Sequence, residues 1–274
     1  MLLTAATVLF LVPPVFSAQS GVPVLGCRIL AVHPHDPAAF TQGLVFRDGV
    51  FFESTGRYGQ SSLRRVDVAT GRVLLRRDLP ASCFGEGVEE VGGRLYQLTW
   101  RENTVFVYDA ATFDLVAQKP LPTEGWGICH DGVSFVVSDG TSVLRRYDTE
   151  TFAPGRRLPV TEAGSPVPFL NELECVDGLI YANVWTTDRV AVVDPSDGRV
   201  MAWIDLSVLR TRMGRLPQEA VTNGLAHDPS SGRFFVTGKL WPFLFELGVD
   251  QPPGKGASAD SSVSPQPSVS KDVP

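Results

Sequence analysis

The sequence predicts an all-β protein, folded as a five-bladed β-propeller, on two observations. A short apolar run recurs five times, and successive copies begin 44, 40, 45 and 52 residues apart. Spacings of about 40–50 residues are typical of the four-stranded blades of a propeller. Each copy also continues through short segments rich in Val, Phe, Tyr and Thr, separated by Gly, Asp and Asn as strands are by turns.

Within each copy the pattern predicts the strands in a fixed order. The first strand begins with one informative residue, in QGLVF, EGVEE, WGICH, NELECV and NGLAH. The second follows a turn, in GVFFEST, GRLYQLTW, VSFVVSDG, LIYANVW and RFFVTGK. In the first four copies the third strand ends at an aspartate that opens a turn, namely Asp67, Asp109, Asp148 and Asp194. Runs such as VLLRRDL and VMAWIDL then supply a fourth strand.

The fifth copy stops after FLFEL near Leu247 and lacks this fourth strand. The segment GCRILAVH, which precedes the first copy, can replace it and thereby join the two ends of the chain. Such a closed ring leaves few exposed sheet edges. We therefore predict one propeller domain over residues 25–248, with a β-sandwich of accidental internal similarity as the alternative.

The two ends of the chain have a different composition. Residues 1–17 are apolar, with Val15 and Ser17 at positions suited to signal cleavage, but they lack a basic start and are short for a bilayer span. They predict a secretory signal or membrane tether, and hence a secreted or periplasmic protein. Residues 249–274 are rich in Pro, Ser and Gly, which predicts a disordered tail.

Composition narrows the choice of partners. The chain has 274 residues, 43% of them hydrophobic, and a net charge of −6 without any basic run, so nucleic acid is not expected as a partner. A closed propeller has no evident need of a second subunit, which favours a monomer. The four cysteines, Cys27, Cys83, Cys129 and Cys175, could form disulfides or be buried thiols, and the sequence does not assign their pairing.

The propeller prediction brings distant residues together. First strands line the axis of a propeller, so the five leading residues should face one another at one mouth: Gln42, Glu86, Trp126, Asn171 and Asn223. The ends of the second strands should form the next ring, with Trp100, Asp139, Trp185 and Lys239. Aromatic walls with a few convergent polar groups are typical of small-ligand sites.

Each of these residues also has a purely structural interpretation. Glu86 could cap backbone amides at its turn, and Trp100 and Trp185 could simply pack between blades. For Asn223 a structural role is favoured, and Asp139, which precedes a glycine, is expected at a turn. Glu53, Glu172 and Glu174 could form a second carboxylate site or hold calcium. The dispersed histidines form no zinc signature, and neither a serine-nucleophile motif nor a phosphate loop is present.

Several runs in order resemble the plant-type glutaminyl-peptide cyclotransferases, which also occur in bacteria: HDPAAFTQGL, ESTGRYGQSSL, FGEG, YQLTW, EGWGI, VSDGT, LNELE, YANVW, NGLA and VTGKLWP. The resemblance extends over about residues 31–247. It implies a five-bladed propeller that converts N-terminal glutaminyl residues of peptides to 5-oxoproline, with loss of ammonia and without a cofactor. It also implies that Glu86 is the acid/base carboxylate, in a pocket lined by Phe40, Gln42, Phe84, Trp100, Trp126, Asn171, Trp185 and Lys239.

This chemistry suits the predicted residues. The substrate's own α-amine attacks its γ-amide, so aromatic side chains that fold the substrate and one carboxylate that moves protons would suffice. Lys239 and Asn171 could stabilise the oxyanion, unless Lys239 pairs directly with Glu86 and is structural. A non-catalytic propeller that binds peptides at its mouth is the alternative, and a metal-dependent propeller hydrolase is a second one.

Overall fold

The structure, a computed structural model, describes residues 21–252. The predicted signal segment and residues 253–274 of the predicted tail lie outside this range. Within it the chain is almost entirely β-structure, and the helix α1 (Ser207–Arg210) is a single turn. None of the described helices has the length and apolar character needed to cross a membrane.

Five antiparallel sheets follow one another along the chain as blades. The first two strands, β1 (Val24–Leu25) and β2 (Cys27–Pro34), join blades whose other strands come from the second half of the described chain. Blade 1 contains β3 (Thr41–Arg47), β4 (Val50–Thr55), β5 (Ser62–Asp67) and β6 (Val73–Asp78). Blade 2 contains β7 (Gly85–Val91), β8 (Arg94–Thr99), β9 (Thr104–Asp109) and β10 (Leu115–Pro120).

The remaining blades keep this order. Blade 3 contains β11 (Ile128–His130), β12 (Ser134–Val137), β13 (Val143–Asp148) and β14 (Pro154–Pro159), and is followed by a small hairpin of β15 (Thr161–Glu162) and β16 (Ser165–Pro166). Blade 4 contains β17 (Leu170–Val176), β18 (Leu179–Val184), β19 (Arg189–Val193) and β20 (Val200–Asp205). Blade 5 contains β21 (Thr222–Asp228), β22 (Arg233–Gly238) and β23 (Phe243–Val249).

The outer strand of blade 5 comes from the start of the domain. β2 pairs antiparallel with β23, from Cys27 opposite Val249 to Pro34 opposite Phe243. The predicted five-bladed propeller, closed by an N-terminal strand, is confirmed. β1 was not predicted; it adds a fifth strand to blade 4 by pairing in parallel with β20, with Val24 opposite Trp203.

The apolar core is divided among the five junctions between neighbouring blades. Each of five buried clusters draws its side chains from two adjacent blades. At the closing junction, for example, Leu44 and Phe51 of blade 1 pack with Phe235 and Leu244 of blade 5. Because burial of this area is the main favourable term in folding, each blade depends on both of its neighbours.

A disulfide joins two inner strands. Cys129 of β11 and Cys175 of β17 are bonded across the junction between blades 3 and 4, with their Cα atoms 5.6 Å apart. Cys27 and Cys83 are free thiols. The structure thus supplies the pairing that the sequence left open.

Candidate active site

Irregular pairing within the innermost strands coincides with the leading residues of the repeats. In four blades the register between the first and second strands shifts where the leading residue lies: at Gln42, Glu86, Asn171 and Asn223. A β-bulge bends the strand and re-aims one side chain, so it can place a polar group where strict alternation would not. In blade 3 the leading residue, Trp126, precedes the strand itself.

A repeated backbone hydrogen bond fixes the second ring of residues. The N–H groups of Trp100, Trp185 and Lys239 each donate to the carbonyl oxygen two positions before the leading residue of their own blade, at Phe84, Phe169 and Val221 (3.0, 2.9 and 2.9 Å). In blade 1 the same bond runs from Gly56 to Phe40 (2.8 Å). The start of the first strand and the end of the second are therefore held together at the same face of the propeller.

Apart from Asn223, which was expected at the mouth but is buried behind it, the residues of these two rings line a cavity of about 920 Å³ at one mouth of the axis. Every residue that the resemblance assigns to the pocket lines it: Phe40, Gln42, Phe84, Glu86, Trp100, Trp126, Asn171, Trp185 and Lys239. The volume lies within the range of small-molecule sites. The structure thus brings the sequence-predicted pocket residues together in one place.

Glu86 is the buried carboxylate of this cavity. It is 5% exposed, and Gln42 Nε2 donates to its Oε1 at 3.1 Å. Burial raises its pKa well above the usual range, because the charged form loses hydration; the positive charge of Lys239 opposes this, and the negative charges of Glu124 and Glu102 add to it. The carboxylate therefore changes protonation at a higher pH than an ordinary glutamate.

Lys239 is the buried cation of the cavity. It is 6% exposed, its Nζ lies 4.8 Å from the centre of the Phe40 ring, and burial lowers its pKa while Glu86 acts in the opposite direction. Within residues 21–252 no carboxylate oxygen lies within 4.0 Å of this nitrogen. Glu86 and Lys239 thus influence each other without a direct ion pair, which leaves the ammonium free to meet a ligand.

Six aromatic residues line the cavity: Phe40, Phe84, Trp100, Trp126, Phe169 and Trp185. Trp126 and Trp185 meet edge to face at 5.7 Å, and Phe84 packs against Trp100 at 5.5 Å. Gly140, at φ +76°, lies flat against the Trp126 indole, and a Cβ there would come within 2.6 Å of the ring. Trp185 is 36% exposed, so this part of the wall is open to an entering ligand.

Two amides complete the polar side. Asn171 is 2% exposed, and its Oδ1 is buried without a hydrogen-bond partner among the described residues. Asn223 Nδ2 orients Gln42 by donating to Gln42 Oε1 at 3.2 Å, and it also donates to the Thr41 carbonyl oxygen at 3.1 Å. Asn223 is fully buried and does not line the cavity, which agrees with the structural role favoured for it.

Other residues raised by the sequence have structural surroundings. Asp139 lies on the cavity wall, but its carboxylate accepts from Thr141 and from Arg145 Nε (2.9 Å), as expected for a turn residue. Glu53 accepts hydrogen bonds from His35 and Thr41 and forms no shared site with Glu172 or Glu174. Among residues 21–252 no group of three or more His, Cys, Asp or Glu is arranged to hold a metal ion.

The cavity is also lined by residues that were not predicted from the sequence: Arg101, Thr123, Glu124, Gly140, Thr141, Phe169 and Glu219. A usable signal was present for two of them. Phe40 and Phe84 each lie two positions before a leading residue, and Glu124 and Phe169 occupy the same position before Trp126 and Asn171. Applied to all five copies, the repeat register would have placed both at the cavity.

A closed β-propeller with a buried carboxylate, a buried ammonium and aromatic side chains at its axial mouth is a propeller with the features of a small-ligand site. The chain is a member of the glutamine cyclotransferase family, whose family model matches residues 1–249. It is 40% identical over 237 residues to the glutaminyl-peptide cyclotransferase of Arabidopsis thaliana, covering 84% of this chain and 73% of that one. It is also 40% identical to the Myxococcus xanthus glutaminyl cyclase, whose crystal structure matches with a TM-score of 0.79 over 83% of this chain and 98% of that one.

Proposed function

We infer that this chain is a glutaminyl-peptide cyclotransferase, which cyclises N-terminal glutaminyl residues to 5-oxoproline and releases ammonia. The observation that carries this inference, beside family membership, is Glu86: a buried carboxylate of raised pKa at an aromatic-walled pocket that is open at the propeller mouth. A chain end can enter such a pocket, whereas an internal segment of a folded protein cannot easily do so.

The reaction needs no nucleophile from the protein. The α-amino nitrogen of the substrate attacks its own side-chain Cδ, a C–N bond forms there, and the bond from Cδ to the amide nitrogen breaks to release ammonia. Holding the two ends of the substrate in contact supplies a large part of the rate, as in other intramolecular reactions. Trp100, Trp126 and Trp185, with Phe40 and Phe84, would hold the glutaminyl side chain in this folded shape.

Two proton movements remain, and Glu86 is suited to both. As a carboxylate it would take a proton from the attacking amine, and as a carboxylic acid it would give that proton to the departing ammonia. A general acid/base works best when its pKa lies near the working pH, and burial moves Glu86 in that direction. Gln42, which donates to Oε1, would keep the carboxylate in one orientation.

The tetrahedral intermediate places negative charge on the former amide oxygen. Lys239 is buried and has no ion-pair partner among residues 21–252, so as an ammonium it would stabilise that charge. Asn171 would assist through its side-chain amide, which lines the same cavity. No step of this scheme calls for a metal ion or cofactor.

We also propose an exported protein that acts as a monomer on peptides and proteins beginning with glutamine. The apolar segment 1–17 and the Cys129–Cys175 disulfide support export, since disulfides persist in oxidising compartments. Whether the segment is cleaved or stays as a tether decides between a soluble and a membrane-attached form. The acidic net charge gives no reason to expect nucleic acid.

The deciding experiment is turnover of a short peptide with N-terminal glutamine, followed by ammonia release and by the mass of the product. Glu86→Gln keeps the size of the side chain but cannot move the proton, so we expect loss of kcat by about 100-fold or more. Glu246→Gln is the matched control, because Glu246 is an equally buried carboxylate that pairs with His33 and Arg233 away from the cavity.

Each outcome separates the candidate functions. Turnover by the wild type, abolished in Glu86→Gln and kept in the control, supports the cyclotransferase. Full activity in Glu86→Gln would remove the proton shuttle from the scheme. A folded wild type without turnover, which nevertheless binds the peptide, would support the non-catalytic alternative.

A further inference from the structure

Glu124 makes an unusual set of contacts at the cavity wall. Its Oε2 accepts hydrogen bonds from two indole N–H groups, Trp100 Nε1 at 2.9 Å and Trp126 Nε1 at 3.1 Å. Its Oε1 accepts from Arg101 Nε at 2.9 Å. A single carboxylate thus bridges blade 2, which supplies Trp100 and Arg101, and the start of blade 3, which supplies Trp126.

The backbone around Glu124 fixes the position of this residue. It lies in the short connection between β10 and β11, where the next residue, Gly125, donates to the carbonyl oxygens of Thr99 and Trp100 (3.2 and 3.1 Å). A Cβ at position 125 would come within 2.8 Å of the Thr99 oxygen, so the connection passes close against β8. The carboxylate is therefore presented from a rigid part of the wall.

The two tryptophans are already restrained by packing, but not about every axis. Trp126 packs against Gly140 and meets Trp185 edge to face, while Trp100 packs against Phe84 and against the Arg101 guanidinium, which lies 3.8 Å from its ring centre. Such contacts still permit an indole to slide or flip. A hydrogen bond to the N–H edge selects one orientation of each ring, because the opposite edge has no donor.

We propose that Glu124 is a positioning residue, which sets the orientation of Trp100 and Trp126 so that the substrate's glutaminyl side chain is held in the shape for cyclisation. This inference rests on the proposed function. It assigns Glu124 no contact with the reacting atoms: the carboxylate acts through the two indoles.

The lowered pKa of Glu124 agrees with this role. Burial raises the pKa, but the hydrogen bonds from Trp126, Arg101 and Trp100, together with the charge of Arg101, outweigh that effect. The group is therefore ionised at neutral pH, and an ionised acceptor makes stronger hydrogen bonds than a neutral one.

The test compares Glu124→Leu and Glu124→Gln with the wild type, in turnover and in the near-ultraviolet circular dichroism of the tryptophans. The Leu variant has no acceptor, so we expect kcat to fall by about 100-fold, the size of effect seen when reacting groups are slightly misplaced. Its tryptophan signal should change as well. The Gln variant keeps one acceptor oxygen, and we expect a smaller loss and a near-native signal.

Glu162→Leu is the matched control. Glu162 Oε1 accepts from the Trp203 indole at 2.8 Å, a bond of the same kind, but neither residue lines the cavity. We expect this variant to keep wild-type kcat and KM. If Glu124→Leu does not fold, Glu124→Ala replaces it, since it also removes the acceptor and adds no bulk to the cavity wall.

An unchanged tryptophan signal in Glu124→Leu, or in Glu124→Ala if that variant takes its place, would overturn the proposal, even with a loss of activity. Wild-type turnover in such a variant would overturn it as well. A wild type without turnover would instead contradict the proposed function, and the dichroism comparison would still decide whether Glu124 orients the two rings.

Discussion

The residues that decide the chemistry are two buried charges of opposite sign. Glu86 and Lys239 share the cavity without forming an ion pair, and each shifts the other: the ammonium lowers the pKa of the carboxyl, and the carboxylate raises the pKa of the amine. In both groups burial has the larger effect, since it disfavours each charged form. The result is a carboxyl and an amine whose pKa values are closer together than those of free side chains.

A substitution at Lys239 should reveal this balance in the pH profile. A general base works as the carboxylate, so kcat/KM should fall as the pH is lowered through the pKa of Glu86. Lys239→Met removes the positive charge that lowers this pKa, while Glu124 and Glu102 continue to raise it. We therefore expect the acidic limb of the profile to move to higher pH, together with a loss of kcat of about 10-fold or more.

Lys119→Met provides the control for that profile, because Lys119 lies on the outer strand of blade 2 and donates to the Glu150 carbonyl oxygen far from the cavity. Its profile should match the wild type. An acidic limb in Lys239→Met that stays in place, or moves to lower pH, would show that the limb does not report Glu86.

At the scale of single residues, the sequence predicted which side chains form most of the site but not the contacts among them. The repeat register and the family resemblance together predicted Glu86, Lys239 and the tryptophans at one mouth, and these residues line one cavity. The role of Glu124 could not be predicted in the same way. It depends on hydrogen bonds across two blades, whose geometry follows from packing and not from spacing along the chain.

Among the elements, the five inner strands are packed unusually closely at the axis. In four blades the leading residue is followed by glycine, and in blade 4 by Glu172. A Cβ at Gly127 would lie 2.1 Å from the Asn171 carbonyl oxygen, so the backbone immediately before β11 is in direct contact with that of β17. Glu172 fills the remaining space and accepts from the backbone N–H groups of Leu44 and Leu225 at 3.4 and 3.0 Å.

Gly127→Ala should disturb this contact and the site above it. Because backbone atoms cannot move aside as a flexible side chain can, we expect a loss of about 2–3 kcal/mol in the free energy of unfolding. Activity should also fall, since Trp126 and Asn171 adjoin the displaced segments. Denaturant unfolding and turnover measure the two effects.

The comparison variant is Gly248→Ala in β23, where a Cβ would make only ordinary contacts, the nearest at 3.6 Å. It should be within about 0.5 kcal/mol of the wild type, as surface substitutions usually are. A Gly127→Ala protein as stable as this control would contradict the close packing of the inner strands.

The strands themselves were largely predictable, because alternation and turn residues recur with the repeat. The irregularities were not. The bulges at Gln42, Glu86 and Asn171 are properties of strand pairing, and one extra residue in a strand leaves little trace in its composition. The parallel strand β1 has only two residues, which is too short for a periodic pattern.

For the molecule as a whole, the closing of the ring combines a strand pair with a buried charge network. His35, directly after β2, is buried, and its Nδ1 lies 2.7 Å from the Trp241 carbonyl oxygen and its Nε2 2.9 Å from Glu53 Oε1. Since both ring nitrogens face acceptors, both must donate, and the imidazole carries a positive charge. The network links the N-terminal outer strand to blade 1 and to blade 5.

This network predicts how the stability of the propeller depends on pH. Burial lowers the pKa of His35, but the charge and the hydrogen bond of Glu53 outweigh this effect, so the pKa of His35 is raised. Burial raises the pKa of Glu53, but His35 and Arg64 outweigh this effect, so the pKa of Glu53 is lowered. A histidine whose pKa is raised on folding stabilises the folded state fully below its unfolded pKa of about 6.5. This stabilisation is lost as the pH rises through the folded pKa. A lowered glutamate pKa stabilises above about 4.3 and loses its effect as the pH falls through the folded pKa.

The contribution of His35 and Glu53 to the free energy of unfolding should therefore be complete between about pH 4.3 and pH 6.5 and should decline on both sides of this range. We expect His35→Gln to remove the alkaline decline in the free energy of unfolding, measured with denaturant as a function of pH. His227→Gln should change the pH dependence of the free energy of unfolding in the opposite direction. Burial lowers the pKa of His227, so the fold favours its neutral form. An alkaline decline that persists unchanged in His35→Gln would mean that it comes from other groups, and that the ring is closed by strand pairing without help from this charge.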